Sequence, residues 1–432
     1  MRTSTWALGL ALGLSAAANA APIQLTLESA VATALEASPV LKAARQRQRA
    51  SAELATSAGR RLLPALRLSD EHQHYDDAFT VGFGAGPGVV AREEDTQVQT
   101  VSLQQPVLGL LRLREERGVQ VENAQAGRAR LAATADGLRQ EVETQYLRCF
   151  EARALDQIAS AAVEELSEQV RVARARLETG VVTRADVLRL EVAVANARQQ
   201  GLSARSQAAA ARAALLALLG WSAATTEVEL AEPTALLEAT RQEPPALALA
   251  WEQAQRRRPE LAEQRHLAAG ARRQAHALAL ALLPEVDLEA NYQRVHGQVF
   301  LPEHTRSVGL KARWTAWEWG ASAHQWRAAA AQAAASRWDL EARQAQLAAE
   351  LTASLAQDQA TRGAVLAAET TIRSAEEAYR VTEAEIQAGT ANTTDLLEAQ
   401  AALTQARLNL TRAQYELALV RVALRRSLDE NP

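Results

Sequence analysis

Cysteine is almost missing: Cys149 stands alone among 432 residues, so neither an internal disulfide nor a cysteine-rich metal centre can form. It lies in helical sequence and is read as a small core residue, not a reactive thiol. Aromatic residues supply only 4% of the chain, which is crowded instead with Ala, Leu, Arg, Glu and Gln. That is the composition of long helices. No excess of positive charge exists either. The formal net charge is −4 with dispersed cations, which argues against a nucleic-acid partner. No stretch reaches the ~20 apolar residues of a transmembrane helix. Ser/His/Asp, paired-carboxylate and metal-ligand constellations are likewise wanting, so neither enzyme chemistry nor a cofactor is expected.

The N-terminus carries Arg2, an apolar run from Trp6 to Leu14, and then Ala18-Asn19-Ala20. This is the order of a secretory signal peptide over residues 1–20, with cleavage expected before Ala21. The residue directly after that point is Ala21 and not a cysteine, so no lipid anchor is expected there.

The remainder is written twice. "ARLETGVVTRADVLRLE" from Ala175 and "AEIQAGTANTTDLLEAQ" from Ala384 lie 209 residues apart, and the same offset pairs Leu131 with Leu340, Glu141 with Glu350 and Leu219 with Leu428. Upstream the offset becomes 220, pairing Pro39 with Pro259 and Leu62-Leu63-Pro64 with Leu282-Leu283-Pro284. A period this long marks a duplicated domain, not a solenoid of short repeats. The expected division is a first repeat over 21–220, a connecting segment over 221–245 and a second repeat over 246–432.

In the second repeat, Val286, Leu288, Ala290 and Tyr292 alternate with polar residues, and so do Val308, Leu310, Ala312 and Trp314. Two period-2 strands joined by a loop predict a β-hairpin over about 285–316. Its counterpart over about 65–105 alternates poorly and follows mainly from the repeat. Glycines at 82, 84, 86 and 88 match neither G-x-G-x-x-G nor a P-loop and read as a hairpin tip. His72, His74, Asp76 and Asp77 read as solvated residues before that tip, not as a metal site.

Helices fill the rest. Leu396, Ala399, Leu403, Ala406, Leu410, Ala413, Leu417, Val420 and Leu424 step alternately by three and four, and Val187, Leu190, Val194, Ala197, Gly201, Ala204, Ala208, Ala211 and Leu215 repeat the pattern in the first half. Both are coiled-coil seams. Long helices are predicted over about 112–178 and 183–219, and over 320–387 and 392–428. The first of these would be roughly 100 Å long at ~1.5 Å per residue. Each half thus contributes one strand hairpin and one antiparallel helical hairpin. Four strands cannot close a barrel alone; two copies would give eight strands with a filled interior, and three would give twelve and leave an opening.

The chain resembles the outer-membrane efflux proteins of the TolC family over nearly its whole mature length. The residues that carry the resemblance are "LTLESAVATALEASPVLKAAR" from Leu25, its echo "ALALAWEQAQRRRPELAEQR" from Ala246, the Leu-Leu-Pro before each hairpin, and the tips "TGVVTRADVL" and "AGTANTTDLL". The resemblance implies a mainly helical protein with a transmembrane β-barrel part: a homotrimer whose 12-stranded barrel, set in outer-membrane lipid, continues as a periplasmic α-barrel. It further implies a passive duct working with a periplasmic adaptor and an inner-membrane pump in a tripartite efflux system. A type I protein-secretion channel and a periplasmic coiled-coil adaptor or scaffold are the alternatives.

Two sets of site residues follow. Gly180, Val181, Val182 and Thr183, with Gly389, Thr390 and Asn392, are expected to form exposed tips that either dock the adaptor or only make the turn. Asp186 and Asp395, three residues after Thr183 and Asn392, read as first-turn acids of capped helices. Capping leaves Glu398 unexplained, because its counterpart is Arg189. Family resemblance assigns Asp395 and Glu398 to an acidic ring at the periplasmic entrance, and it leaves Ala391 where an arginine latch often stands.

Overall fold

The structure, a computed structural model, describes residues 23–82, 84, 86, 88–222, 228–388 and 390–428. The signal segment, Ala21 and Gly389 lie outside the described residues. In chain order the elements are β1 (Ile23–Leu25), α1 (Leu27–Ala37), α2 (Pro39–Arg60), β2 (Ala65–His74), β3 (Phe79–Val81), β4 (Val89–Pro106), α3 (Gly109–Glu178), α4 (Arg184–Leu218), β5 (Val228–Leu230), α5 (Thr234–Ala239), α6 (Leu247–Arg257), α7 (Pro259–Leu280), β6 (Glu285–Gln298), β7 (His304–Arg313), α8 (Ala321–Ala388) and α9 (Thr393–Leu428).

Long helices dominate, as the composition requires. α3 has 70 residues and α8 has 68. α4 buries Val187, Leu190, Val194, Ala197, Gly201, Ala204, Ala211 and Leu215 against α3, leaving only Ala208 of that seam half-buried. The matching seam of α9 is less complete, with Leu396, Ala399, Leu410 and Ala413 half-buried. The cause is that α9 packs on two sides. Leu403 and Ala406 join Ala375 of α8, whereas Leu408 joins Leu155 and Ala204, and Ala418 and Val422 join Leu147 of α3. Each buried leucine in these seams is worth roughly 1.5–3 kcal/mol.

β2, β4, β6 and β7 form one antiparallel sheet in that order. Every strand runs on into a helix: α2 into β2, β4 into α3, α7 into β6 and β7 into α8. Packing of α2 on α3, α3 on α7 and α7 on α8 repeats the strand order in the helical layer. Register puts Leu66, Leu103, Ala290 and Val308 in one row across all four strands. Its neighbours Leu68 and Val101, and Leu288 and Leu310, share that face, because side chains two apart on a strand point the same way. The opposite face carries Arg67, Ser102, Asn291 and Ser307. The apolar face is uncovered, with Leu68 at 74% and Val308 at 77% exposure.

Two features depart from the sequence expectation. The outgoing arm of the first hairpin is broken, so the short β3 pairs with β4 beyond the end of β2, and the register of β4 against β6 shifts between Arg92 and Gln97. A second, parallel sheet joins β1 to β5. The buried Tyr146 hydroxyl sits between the carbonyls of Leu25, at 2.9 Å, and Ala231, anchoring this pair to α3. Burial of the site pushes the Tyr146 pKa up to about 12, and burial likewise pushes the Cys149 thiol up to about 11.

Candidate functional site

The helical tips are built from termination signals. At the first, Val181 N–H donates to Arg176 O at 2.9 Å while Gly180 adopts φ +74°, a left-handed ending that glycine takes without strain. Thr183 then caps α4. Asp186 N–H donates to Thr183 Oγ1 at 3.3 Å, and Thr183 N–H donates back to Asp186 Oδ2 at 3.0 Å. These bonds from Thr183 hold the Asp186 carboxyl below the usual carboxylate range.

The second tip repeats the design with other residues. Thr390 N–H donates to Glu385 O at 2.9 Å. Asn392 Oδ1 accepts from the N–H of Thr394 at 2.7 Å and of Asp395 at 3.1 Å, and Asn392 N–H donates to Asp395 Oδ2 at 2.9 Å. Val181, Thr183, Thr390 and Asn392 are exposed, and Val182 and Ala391 are half-buried.

Asp395 and Glu398 are both exposed. Among the described residues neither forms an ion pair. Asp395 is engaged by its cap, whereas Glu398 has no hydrogen-bond partner among the described residues.

The two tips lie together. Arg189 Nη1 donates to Thr394 Oγ1 at 3.1 Å and to Asp186 Oδ1 at 3.3 Å. Leu397 packs on the α3–α4 core that includes Val187 and Leu190. Further from the tip Gln400, only 1% exposed, accepts from Gln169 at 3.5 Å and donates to Glu165, which also faces Arg407 at 3.8 Å. Sequence reasoning did not find Arg189, Gln400, Glu165 or Gln169 as members of this site. The contacts that join them across the two tips span more than 200 residues of chain, and only the position of Gln400 beside the seam hints at burial.

At the opposite end of the molecule, His74 Nδ1 meets Asp95 Oδ1 at 2.8 Å and His72 approaches the same oxygen at 3.9 Å. Among the described residues no group of three or more His, Cys, Asp or Glu is arranged to hold a metal. Gly82, Gly84, Gly86 and Gly88 lie in the connection from β3 to β4. No helix of the described residues is long and apolar enough to cross a membrane.

Comparison with known proteins decides what this arrangement belongs to. The family model for outer membrane efflux proteins matches residues 30–221 and 250–430, the two halves of the duplication. The chain belongs to the outer membrane efflux protein family. No curated protein matches it in sequence. Among solved structures it resembles the outer membrane protein VceC from Vibrio cholerae, with TM-score 0.79 and 18% identity over 93% of this chain and 95% of that one. It also resembles CusC, with TM-score 0.80 and 17% identity over 93% and 91% of the two chains. The open state of the Neisseria gonorrhoeae MtrE outer membrane channel matches with TM-score 0.77 and 18% identity over 93% and 88%. This outer membrane efflux protein therefore has the fold of known outer-membrane channels.

Proposed function

We propose that three copies of this efflux protein close a twelve-stranded β-barrel in the outer membrane, continued into the periplasm by a helical tube. In this reading the assembly is the passive exit duct of a tripartite efflux system. It receives cargo from an inner-membrane pump through a periplasmic adaptor seated on the tips at Gly180, Val181, Val182 and Thr183 and at Gly389, Thr390 and Asn392. Asp395 and Glu398 line its periplasmic entrance.

The observation that carries the proposal is the pair of open edges. β2 and β7 are exposed at every residue, and both flank the uncovered apolar face. Each unpaired backbone group would cost on the order of several kcal/mol in hydrocarbon, where no water replaces the missing partner. Pairing β7 of one copy with β2 of the next removes both of these edges at once. The row from Leu66 to Val308 then faces lipid, and the row from Arg67 to Ser307 faces the lumen. Trp314, Trp317 and Trp319, all exposed, follow β7 where an aromatic belt meets the membrane interface.

Light scattering of the detergent-solubilised protein tests the closure. The expected particle has three times the mass of one chain. A monodisperse monomer would end the barrel reading.

A further inference from the structure

On the lumen-side face of the sheet, where β2 and β4 continue into helices, lies a cavity of about 540 Å³. Five arginines converge on it from four elements and one turn: Arg60 from the end of α2, Arg61 from the turn that follows, Arg67 from β2, Arg112 from α3 and Arg313 from β7. Only two acids, Glu285 and Asp287, share its lining.

Both acids are already engaged. Glu285 meets Arg112 at 2.9 Å, and Asp287 meets Arg313 at 3.4 Å and accepts from Gln104 at 3.0 Å. Arg60, Arg61 and Arg67 remain. Among the described residues none of the three has an ion-pair or hydrogen-bond partner for its side chain, and all are exposed to the cavity side of the surface.

The duplication supplies a control for what these arginines do. At the same junction of the second copy, Arg60, Arg61 and Arg67 are replaced by Leu280, Ala281 and Asp287. The turn is nevertheless the same: Leu62 and Leu63 donate to Gly59 and Arg60 carbonyls at 3.3 and 3.0 Å, and Leu282 and Leu283 donate to Ala279 and Leu280 carbonyls at 3.2 and 3.1 Å. Ending the helix and starting the strand therefore needs no cation here. Helix-dipole complementarity is not the reason for the three arginines.

We propose that this cavity is a binding site for small multivalent anions bearing phosphate or clustered carboxylates. The inference rests on the duct reading for its place inside a lumen, where three copies would repeat the cluster around the axis. Guanidinium groups suit such ligands, because each offers a planar fork of donors to paired oxygens. Set against the acids at the tips, the cluster gives the helical part of the duct collars of opposite sign, one at the tips and one where the helices meet the strands, so that inorganic cations and anions each meet one opposing collar.

Isothermal titration with inorganic pyrophosphate, on protein in nanodiscs of neutral phosphatidylcholine, tests the site without requiring conduction. Wild-type protein should bind, and the Arg60→Gln, Arg61→Gln, Arg67→Gln triple variant should bind at least about tenfold more weakly, as expected for loss of charge-assisted hydrogen bonds. Should the triple variant fail to fold, Arg67→Gln alone, at an exposed strand position, should still weaken binding about threefold or more. Equal affinity in folded variants, or no wild-type binding at low salt, overturns the proposal. So does loss of binding when anionic phosphatidylglycerol replaces neutral lipid, which would place the arginines at the bilayer surface. A second arm adds pyrophosphate to the strand side of single channels, where current should fall in wild type and hold in the variant. Pyrophosphate binding by a protein that forms no pore would sustain the site while the duct reading fell.

Discussion

Arg189 Nη1 donates to Thr394 Oγ1 across 3.1 Å, joining the first helical tip to the second over 205 residues of chain. The duplication places Glu398 opposite Arg189 in sequence, so the two copies have diverged to opposite charge at one position. The cation holds the tips together; the acid stays free of ion pairs among the described residues.

That asymmetry predicts a selectivity effect. Asp395→Asn with Glu398→Gln preserves a side-chain acceptor for the Asn392 cap but removes both charges. Single-channel recording should show lower cation selectivity and weaker block by multivalent cations than in wild type. Unchanged selectivity in assembled trimers would move both acids away from the axis.

The tips themselves predict a separation of stability from transport. Val181 is 71% exposed, so Val181→Glu should change stability by under about 0.5 kcal/mol. Combined with Thr390→Arg, it should abolish transport in cells carrying the partner adaptor and pump, while trimers persist. Transport at the wild-type rate would reduce these residues to turn-makers.

Tyr146 predicts a pH limit. Its folded pKa is raised above the ordinary value of 10.0 to about 12, so the neutral phenol stabilises the fold. The contribution is complete below pH 10, the unfolded value, and is lost as pH rises toward the folded value of about 12. Tyr146→Phe removes the hydroxyl bridge to the β1–β5 pair and should cost about 1 kcal/mol. Urea melts between neutral and strongly alkaline pH should show a steeper decline in wild type than in the variant, which keeps only the decline due to other buried groups such as Cys149.

Gly297 predicts a local steric penalty. It adopts φ +80° opposite the β4 irregularity, where an added Cβ would collide with the Asp95 carbonyl. Gly297→Ala should therefore cost on the order of 1–3 kcal/mol, read as a lower melting temperature. Gly309, on β7 with nothing near its Cβ position, should tolerate alanine.

What the sequence carried most clearly was whatever repeats locally. The alternating three and four spacing of Val187 to Leu215 describes one buried stripe, and alternation from Val286 to Tyr292 describes one sheet face. Thr183 and Asp186 lie within one turn, so their reciprocal bonds follow from spacing alone. The β1–β5 pair was illegible because three-residue strands hold no period, and Leu25 reaches Leu230 only through the fold. Half-burial of Leu396 and Leu410 was hidden for another reason. A seam announces one partner, and α9 has two. The arginine cavity gathers residues from Arg60 to Arg313, which no local window contains.

The open edges of β2 and β7 also impose a kinetic order. A lone chain entering hydrocarbon would carry two full rows of unpaired backbone groups, whereas its helical layer, which pairs within itself, has no such obstacle. On the proposed assembly, dilution should therefore leave the long helices free to form while membrane insertion waits for encounters between chains. On the proposed three-copy barrel, insertion would be a collision-limited step whose rate climbs steeply with chain concentration, and the half-made product that accumulates would be a folded stalk with an uninserted sheet.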